Sequence, residues 1–384
     1  MTGSFGCDTA ALNKTRMERR NTTTMMFDEV ALKHGGMLAT NGHSLYKSRD
    51  VIMDCLDHIL DRTPTSHYPI TIADVGTADG STSVALLNEI IERIQSHTGK
   101  SRQIMIHYTD QPTNDFNRML NVINDQAGLN LGPDVFCSAV GRTMFEQCLP
   151  DASTDLIFSA IAAFNLSKSP CQLQDGLNPT EANSQEIDAY NSQAASDWKT
   201  FLIMRGRELR PGGYMVVLNI GTTKQGEVTV NIKGGMNTMS HVLRNLLEDD
   251  LISKEEFLNC NVKAAYYRTE EDFALPFKDN DKDIEETGLE LVSTRSFVSK
   301  LDHPSFDVSN KDDATKKMYA ERIVAGIKPW LFGDIYNGLS CKRSQQERES
   351  LVEIYFSRLW DFAYKNDDQT PQLGLIEVVA RKRV

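Results

Sequence analysis

The chain has 384 residues, 40% hydrophobic and 24% charged, enough to bury a sizeable core without disulfides or metals. Its 41 Lys and Arg against 53 Asp and Glu leave a net charge of −12, which argues against nucleic acid or an anionic membrane as partner. The 7 Cys are scattered without a Cys-x-x-Cys pair, the 8 His show no His-Glu-x-x-His spacing, and no run approaches the ~20 apolar residues of a membrane span, so the expected protein is soluble, metal-free and cytoplasmic.

Residues 1–26 are polar and Thr-rich, with Arg16, Arg19 and Arg20 but no apolar stretch, and read as a flexible tail. Segment 27–69 carries a helical pattern at 49–60 and is expected to contribute to a cap and to the active site. Short apolar, β-rich runs follow at 70–75, 104–108, 135–139, 156–159 and 214–220, with two more at 289–297 and 375–381. Helical patterns separate most of them, the first over 81–97 with Ser81 or Thr82 as cap, another over 196–209 ending at Pro211-Gly212-Gly213. Near-continuous apolar strands alternating with helices predict a mostly parallel sheet covered on both faces. The helical patterns at 236–251, 254–258, 314–327 and 344–365 lie outside that alternation and predict an α-helical cap. The organisation is thus a core at 70–222, a cap insertion at 223–288, a core strand at 289–300, a helical cap at 301–370 and a last core strand at 371–384. The charge run at 278–286 reads as a solvated loop and helix start.

The first strand ends in Asp74-Val75-Gly76-Thr77-Ala78-Asp79-Gly80, immediately before a helix. Such a glycine turn lets a ligand approach the backbone, but it is neither Gly-x-Gly-x-x-Gly nor a P-loop, and Asp74 suits a cationic amine better than a pyrophosphate. The second strand ends at Asp110, where an acid can accept both hydroxyls of a ribose. One acid for an amino-acid head and one for a ribose point together to S-adenosylmethionine.

The stretches IADVGTADGSTS, YTDQPTNDFNRML, VGRTMFEQCLP, STDLIFSAIAAFNLSKSP and WKTFLIMRGRELRPGGYMVVL carry a family resemblance. So do LLEDDLISKEEFLNCNVKAAYYRTEEDF, ERIVAGIKPWLFGDI and the closing IEVVARKR. In this order, over about residues 40–384, the sequence resembles the SABATH methyltransferases, which methylate carboxyl groups of small acids and, in some branches, ring nitrogens. The Asp-Gln-Pro-x-Asn-Asp-Phe-Asn block is the most specific piece. The resemblance implies a Rossmann-like class I methyltransferase sheet of about seven strands, with helices on both faces and an α-helical cap. It also implies S-adenosyl-L-methionine as cofactor, S-adenosyl-L-homocysteine as product, a small carboxylic acid as substrate and a homodimer.

Carried over by position, Asp74, Gly76, Thr77 and Gly80 hold the methionine moiety, with Thr82 where the family usually has Asn. Asp110 takes the ribose, Gln111 lies against the adenine, and Thr143 and Met144 replace a Ser-Phe pair at the same base. Ser44, Tyr46 and Ser48 are candidates for the cofactor carboxylate or the substrate, in a register that the sequence leaves open. On the substrate side, Asn165 stands where the family has a carboxylate-binding Trp and follows Phe164, while Met236 and Trp330 are candidate pocket walls. Met239 and Phe332 have core packing as the simpler reading, the Tyr266-Tyr267 pair a place at the cap–sheet interface or an edge, and His43 that of a surface or capping residue. No catalytic acid or base is required, because an ionised carboxylate attacks an activated methyl directly. Altered substrate positions keep two alternatives open, N-methylation of a small heterocycle and a non-catalytic dimer partner. A nucleic-acid methyltransferase is disfavoured: there is no basic stripe, and LIFSAIAAFN stands where an Asn/Asp-Pro-Pro-aromatic motif would be.

Overall fold

The protein is described by a computed structural model covering residues 44–63, 68–98, 102–125, 128–224, 237–260, 265–279, 281–300, 312–366 and 372–384, with backbone alone at 329 and 330. The expected tail at 1–26, His43 and Met236 lie outside the described residues, as does the side chain of Trp330. Seven strands form one sheet: β1 (Ile70–Val75), β2 (Ile104–Asp110), β3 (Val135–Gly141), β4 (Thr154–Ala160), β5 (Leu209–Ile220), β6 (Leu289–Lys300) and β7 (Gln372–Lys382). Their order is β3-β2-β1-β4-β5-β7-β6. The first five run parallel, and β7 is antiparallel to both β5 and β6. All seven apolar runs of the sequence become strands. Six extend beyond their apolar centres because paired backbone continues into polar residues such as Asp110 and Lys300, which hydrophobicity does not mark.

One face of the sheet is covered by α1 (Arg49–Arg62), α2 (Val84–Thr98) and α3 (Phe116–Asn124). Ile52, Leu56, Ile59 and Leu60 of α1 and Leu87, Ile91 and Ile94 of α2 share one core with Ile72, Ile106 and Val216. The helix at 49–60, which reads as cap material in the sequence, therefore belongs to the sheet layer, where it lies on β4, β5 and α2. The expected Ser81 or Thr82 cap is also displaced. Helix α2 starts at Val84, and Ser81 donates instead to Asp79 at 2.6 Å.

The opposite face is covered by α4 (Ser184–Glu208), α7 (Glu270–Lys278) and α8 (Lys282–Thr287). Helix α4 starts twelve residues before the predicted 196, at a capping box in which Asn183 accepts from Glu186 N–H and the Glu186 carboxylate accepts from Asn183 N–H. Trp198 of α4 is 1% exposed; its indole N–H donates to Phe273 O at 2.9 Å, and its ring meets Phe201 and Phe273. Helices α7 and α8 thus join this layer and not the cap insertion, and the charge run around 278–286 coats a helix anchored by buried Ile284.

The cap consists of α5 (Asn237–Glu248), α6 (Lys254–Asn259), α9 (Asp313–Gly338) and α10 (Gln345–Lys365). Its core includes Leu218 and Ile220 from the end of β5 and Leu373 and Leu375 from the start of β7, which seats it on the carboxyl edge of the parallel strands. Helix α9 runs through Pro329 to Gly338, beyond the predicted stop at 327, because Leu331, Ile335 and Tyr336 bury their side chains in the cap core. No helix among the described residues is long and apolar enough to cross a membrane.

Replacing the buried indole leaves both a void and the Phe273 carbonyl without its donor. Trp198→Ala is expected to destabilise the protein by about 3–5 kcal/mol. Chemical denaturation measures this, and a loss below ~1 kcal/mol would show that α7 is not held to α4 through Trp198.

Candidate active site

In an open α/β sheet, ligands bind at the carboxyl ends of the strands where strand order reverses, here between β1 and β4. Asp74, near the end of β1, is 3% exposed and accepts from the Thr77 hydroxyl at 3.0 Å. Burial lifts its carboxyl to about 6; hydrogen bonds from Ser83 and Thr77 pull it down, and the negative charge of Asp110 pushes it up. Asp110, half-buried at the end of β2, accepts from Ala78 N–H at 2.7 Å and Gln111 N–H at 2.7 Å. Burial raises this carboxyl too, against those two backbone donors. Among the described residues neither acid has an ion-pair partner, and no cation figures among the influences on either. A buried acid beside a half-buried one, without a positive neighbour among the described residues, is costly, and a ligand that brings its own positive charge offsets the cost.

The turn between them is held rigidly. Ala78 adopts a left-handed φ of 53°, an unfavourable conformation for a residue with a Cβ. Its N–H goes to Asp110, while its carbonyl accepts from the Asn114 amide at 2.7 Å, so the peptides on both sides are fixed. Asp115 next to it caps α3 by accepting from Arg118 N–H, and Arg118 reaches back to Asp79 at 3.3 Å. The Asp-Gln-Pro-x-Asn-Asp block is therefore one clamp, joining Asp110, the glycine turn and the start of α3. Gly76, at φ 79°, lies so close to Ala162 that an added Cβ would stand 2.3 Å from the Ala162 Cβ. The first turn and the loop after β4 touch here, and only glycine fits.

Thr143 and Met144 lie half-buried on the loop after β3, and Thr143 Oγ1 accepts from Phe145 N–H at 3.4 Å. Gln111 is exposed and Thr82 half-buried. On the loop after β4, Phe164 stacks on Tyr267 with ring centroids 6.3 Å apart, and its carbonyl accepts from Tyr266 N–H at 2.8 Å. Arg268, 2% exposed, donates to Ala163 O at 2.7 Å and to Ala194 O on α4 at 2.8 Å. Asp197 of α4 accepts from Ser167 N–H at 2.8 Å and from its hydroxyl at 2.7 Å. The loop is thus tied down from behind.

Other candidates fall differently. Asn165 is exposed, and its amide donates to Ala162 O at 2.9 Å, so the group expected to meet a carboxylate serves the turn of its own loop. Tyr46, 43% exposed, donates its hydroxyl to Glu89 on α2, with Arg49 on the same carboxylate. Its tip is committed to a helix surface. Ser44 and Ser48 are both fully buried, and Ser48 Oγ has no partner among the described atoms. Met239 and Phe332 pack in the cap core, in agreement with the simpler reading. Sequence reasoning passed over Asn114, Ala162, Asp197 and Arg268. Asn114 sits inside a recognised block and was findable; the others act across the fold and leave no local signature.

Because the folded Asp74 carboxyl titrates near 6 against an ordinary 3.8, its contribution to stability is fully present below about pH 4 and is lost as pH rises through about 6. The loss is on the order of 3 kcal/mol. Asp74→Asn removes this titration. Its stability relative to the parent is expected to rise by that order between pH 4 and pH 7.5, as read by denaturation at both; parallel pH profiles would place the titration elsewhere.

A family model described as SAM dependent carboxyl methyltransferase matches residues 40–331. The chain is 24% identical over 246 residues to Gibberellic acid methyltransferase 2 of Arabidopsis thaliana, a match that covers 59% of this chain and 63% of that protein. It is 23% identical over 330 residues to Methyltransferase LUC1 of a Fusarium species, covering 83% and 82%. Among solved structures, Loganic acid methyltransferase with SAH superposes with a TM-score of 0.67 at 20% identity, over 90% of this chain and 94% of that one. With a family match spanning well over half of its length, the seven-stranded sheet and the acid-lined glycine turn have a single origin: the chain belongs to the family of S-adenosylmethionine-dependent carboxyl methyltransferases.

Proposed function

We propose that this protein transfers a methyl group from S-adenosylmethionine to the carboxylate of a small organic acid, releasing a methyl ester and S-adenosylhomocysteine. The observation that carries this reading is the pair Asp74 and Asp110, one buried and one half-buried acid at adjacent strand ends with no cation beside them among the described residues, in a chain of the carboxyl methyltransferase family. Asp74 would accept from the amino group of the cofactor, with Gly76, Thr77, Gly80 and Thr82 shaping the turn around its methionine portion. Asp110 would take the ribose hydroxyls, and Gln111, Thr143 and Met144 would flank the adenine. Buried Ser44 and Ser48 would supply hydroxyls near the cofactor carboxylate. The acceptor would lie between the loop of Phe164 and Asn165 and the cap, towards the helix that carries Trp330.

When bound, the cofactor supplies a methyl group already activated by a sulfonium. A carboxylate is ionised at pH 7 and needs no base, so the protein's task is orientation, which contributes roughly 7–11 kcal/mol in favourable cases. Phe164 and the cap exclude water, which otherwise stabilises the separated anion and cation more than the neutral products. With both acids engaged by the cofactor, an anionic acceptor meets neutral donors such as the second N–H of Asn165. The six described cysteines are free thiols, which accords with a reducing, cytoplasmic setting. Pairing of two chains rests on the resemblance; a sedimentation mass near 43.1 kDa instead of twice that value would remove it.

Incubation with methyl-labelled cofactor and a panel of small acids is expected to give base-labile methyl ester. Label recovered only in base-stable product would favour N-methylation and overturn the carboxyl assignment. Asp110→Ala is expected to raise the KM for the cofactor about 10–100-fold, with the KM for the acid little changed.

A further inference from the structure

Arg205 and Glu208, one helical turn apart at the end of α4, have no exposed side-chain surface. Arg205 donates to Glu208 from Nε at 2.7 Å and from a terminal nitrogen at 2.8 Å. Its other bonds go to the loop after β3: to Met144 O at 3.0 Å and to Glu146 O at 2.8 Å. Glu208 answers on the same loop, accepting from Cys148 N–H at 2.6 Å and Leu149 N–H at 3.0 Å. The segment from Arg142 to Leu149 contains neither helix nor strand, so these four bonds set much of its shape. A buried ion pair is an inefficient route to stability, since apolar side chains of equal volume often serve as well. What it offers here is direction: a planar guanidinium and a carboxylate present donors and acceptors at fixed angles to four backbone groups.

We propose that Arg205 and Glu208 are positioning residues for the cofactor's adenine, acting through the Thr143-Met144 platform that they hold in place; this rests on the assignment of that platform to the adenine made above. A loop ordered beforehand loses less freedom when the base binds, so the pair sets cofactor affinity without touching the cofactor. The same helix ties the acceptor-side loop through Asp197, eight residues earlier and thus about 12 Å along the axis. One helix thereby holds the two loops at separate points, and the two effects are separable.

The test uses the full chain and calorimetric affinities for S-adenosylhomocysteine and for 5′-methylthioadenosine, which keeps the adenosine but lacks the amino-acid portion. Arg205→Lys and Glu208→Gln are expected to weaken both ligands by the same factor, about tenfold. Glu208→Gln strands Arg205 as a lone buried charge and can fail to fold for that reason, so the double replacement Arg205→Met with Glu208→Leu is measured alongside. It leaves no unpaired charge, yet it frees the four backbone groups, and the same loss is expected. Asp197→Asn serves as the control, raising the KM for the acid while leaving 5′-methylthioadenosine affinity unchanged. A folded double variant that binds both ligands within twofold of the parent overturns the proposal, as does a loss confined to S-adenosylhomocysteine. A parent protein with no affinity for 5′-methylthioadenosine overturns the adenine assignment itself, and because no acceptor enters these titrations, a wrong acceptor class leaves the affinity comparison intact.

Discussion

Burial of negative charge with no cation beside it among the described residues is the constraint around which this site is arranged. Asp74 and Asp110 are brought together because β1 and β2 pair in parallel and end at the same level of the sheet. Each is hydrogen-bonded by hydroxyls or backbone amides, which hold an acid in place but only partly offset its desolvation. The molecule therefore stores an electrostatic deficit where the strand order reverses. A sulfonium carrying an ammonium and a ribose answers it with charge and with donors. On the proposed assignment, the same constraint reconciles a net charge of −12 with an anionic acceptor, because Asp74 and Asp110 would both serve the cofactor.

Around that deficit the structure is stiff where the cofactor is expected and layered where the acceptor is expected. The left-handed Ala78 is locked from both sides, Gly76 is wedged on Ala162, and Asp115 and Arg118 tie the same turn to α3. Helix α4 carries the remaining loops: Asp197 and the Arg268-bound carbonyl of Ala194 hold the stretch with Phe164, and Arg205 with Glu208 holds the stretch with Met144. The cap, by contrast, rests on the carboxyl edge through apolar contacts from β5 and β7. Apolar packing tolerates changes of shape better than a hydrogen-bonded clamp does, so the acceptor side is free to vary while the cofactor side is not.

What could be read along the chain was whatever depends on near neighbours. The seven apolar runs announced seven strands: the central β1, β4, β5 and β7 are buried almost throughout and so are apolar over their length, while the edge strands β3 and β6 are only partly buried and mix in polar residues. The glycine turn, the acid at its start and the Asp-Gln-Pro-x-Asn-Asp block were legible because a strand end, a tight turn and a helix cap are each made within a few residues. The register of the segment at 44–48 was not legible. Buried serines and an exposed tyrosine can be told apart only once α1 is laid on the sheet.

Tertiary structure decided everything that depends on which surface covers which. Periodicity marks an apolar face on α1 but cannot say whether sheet or cap covers it; α1 lies on the sheet, and so do α7 and α8 from the expected cap insertion. A proline predicts a helix end from local sterics, yet α9 continues through Pro329 because burial beyond it outweighs one lost backbone bond. Asn165 had a donor to offer by composition, and its own loop accepted one of its bonds. Arg205 and Glu208 look like an ordinary charged pair at a helix end, and only the fold reveals their complete burial against the loop after β3. The sequence by itself thus determined the sheet, the glycine turn and the family; the fold decided which polar groups remain free to act, because hydrogen-bond partners are chosen across the chain and not along it.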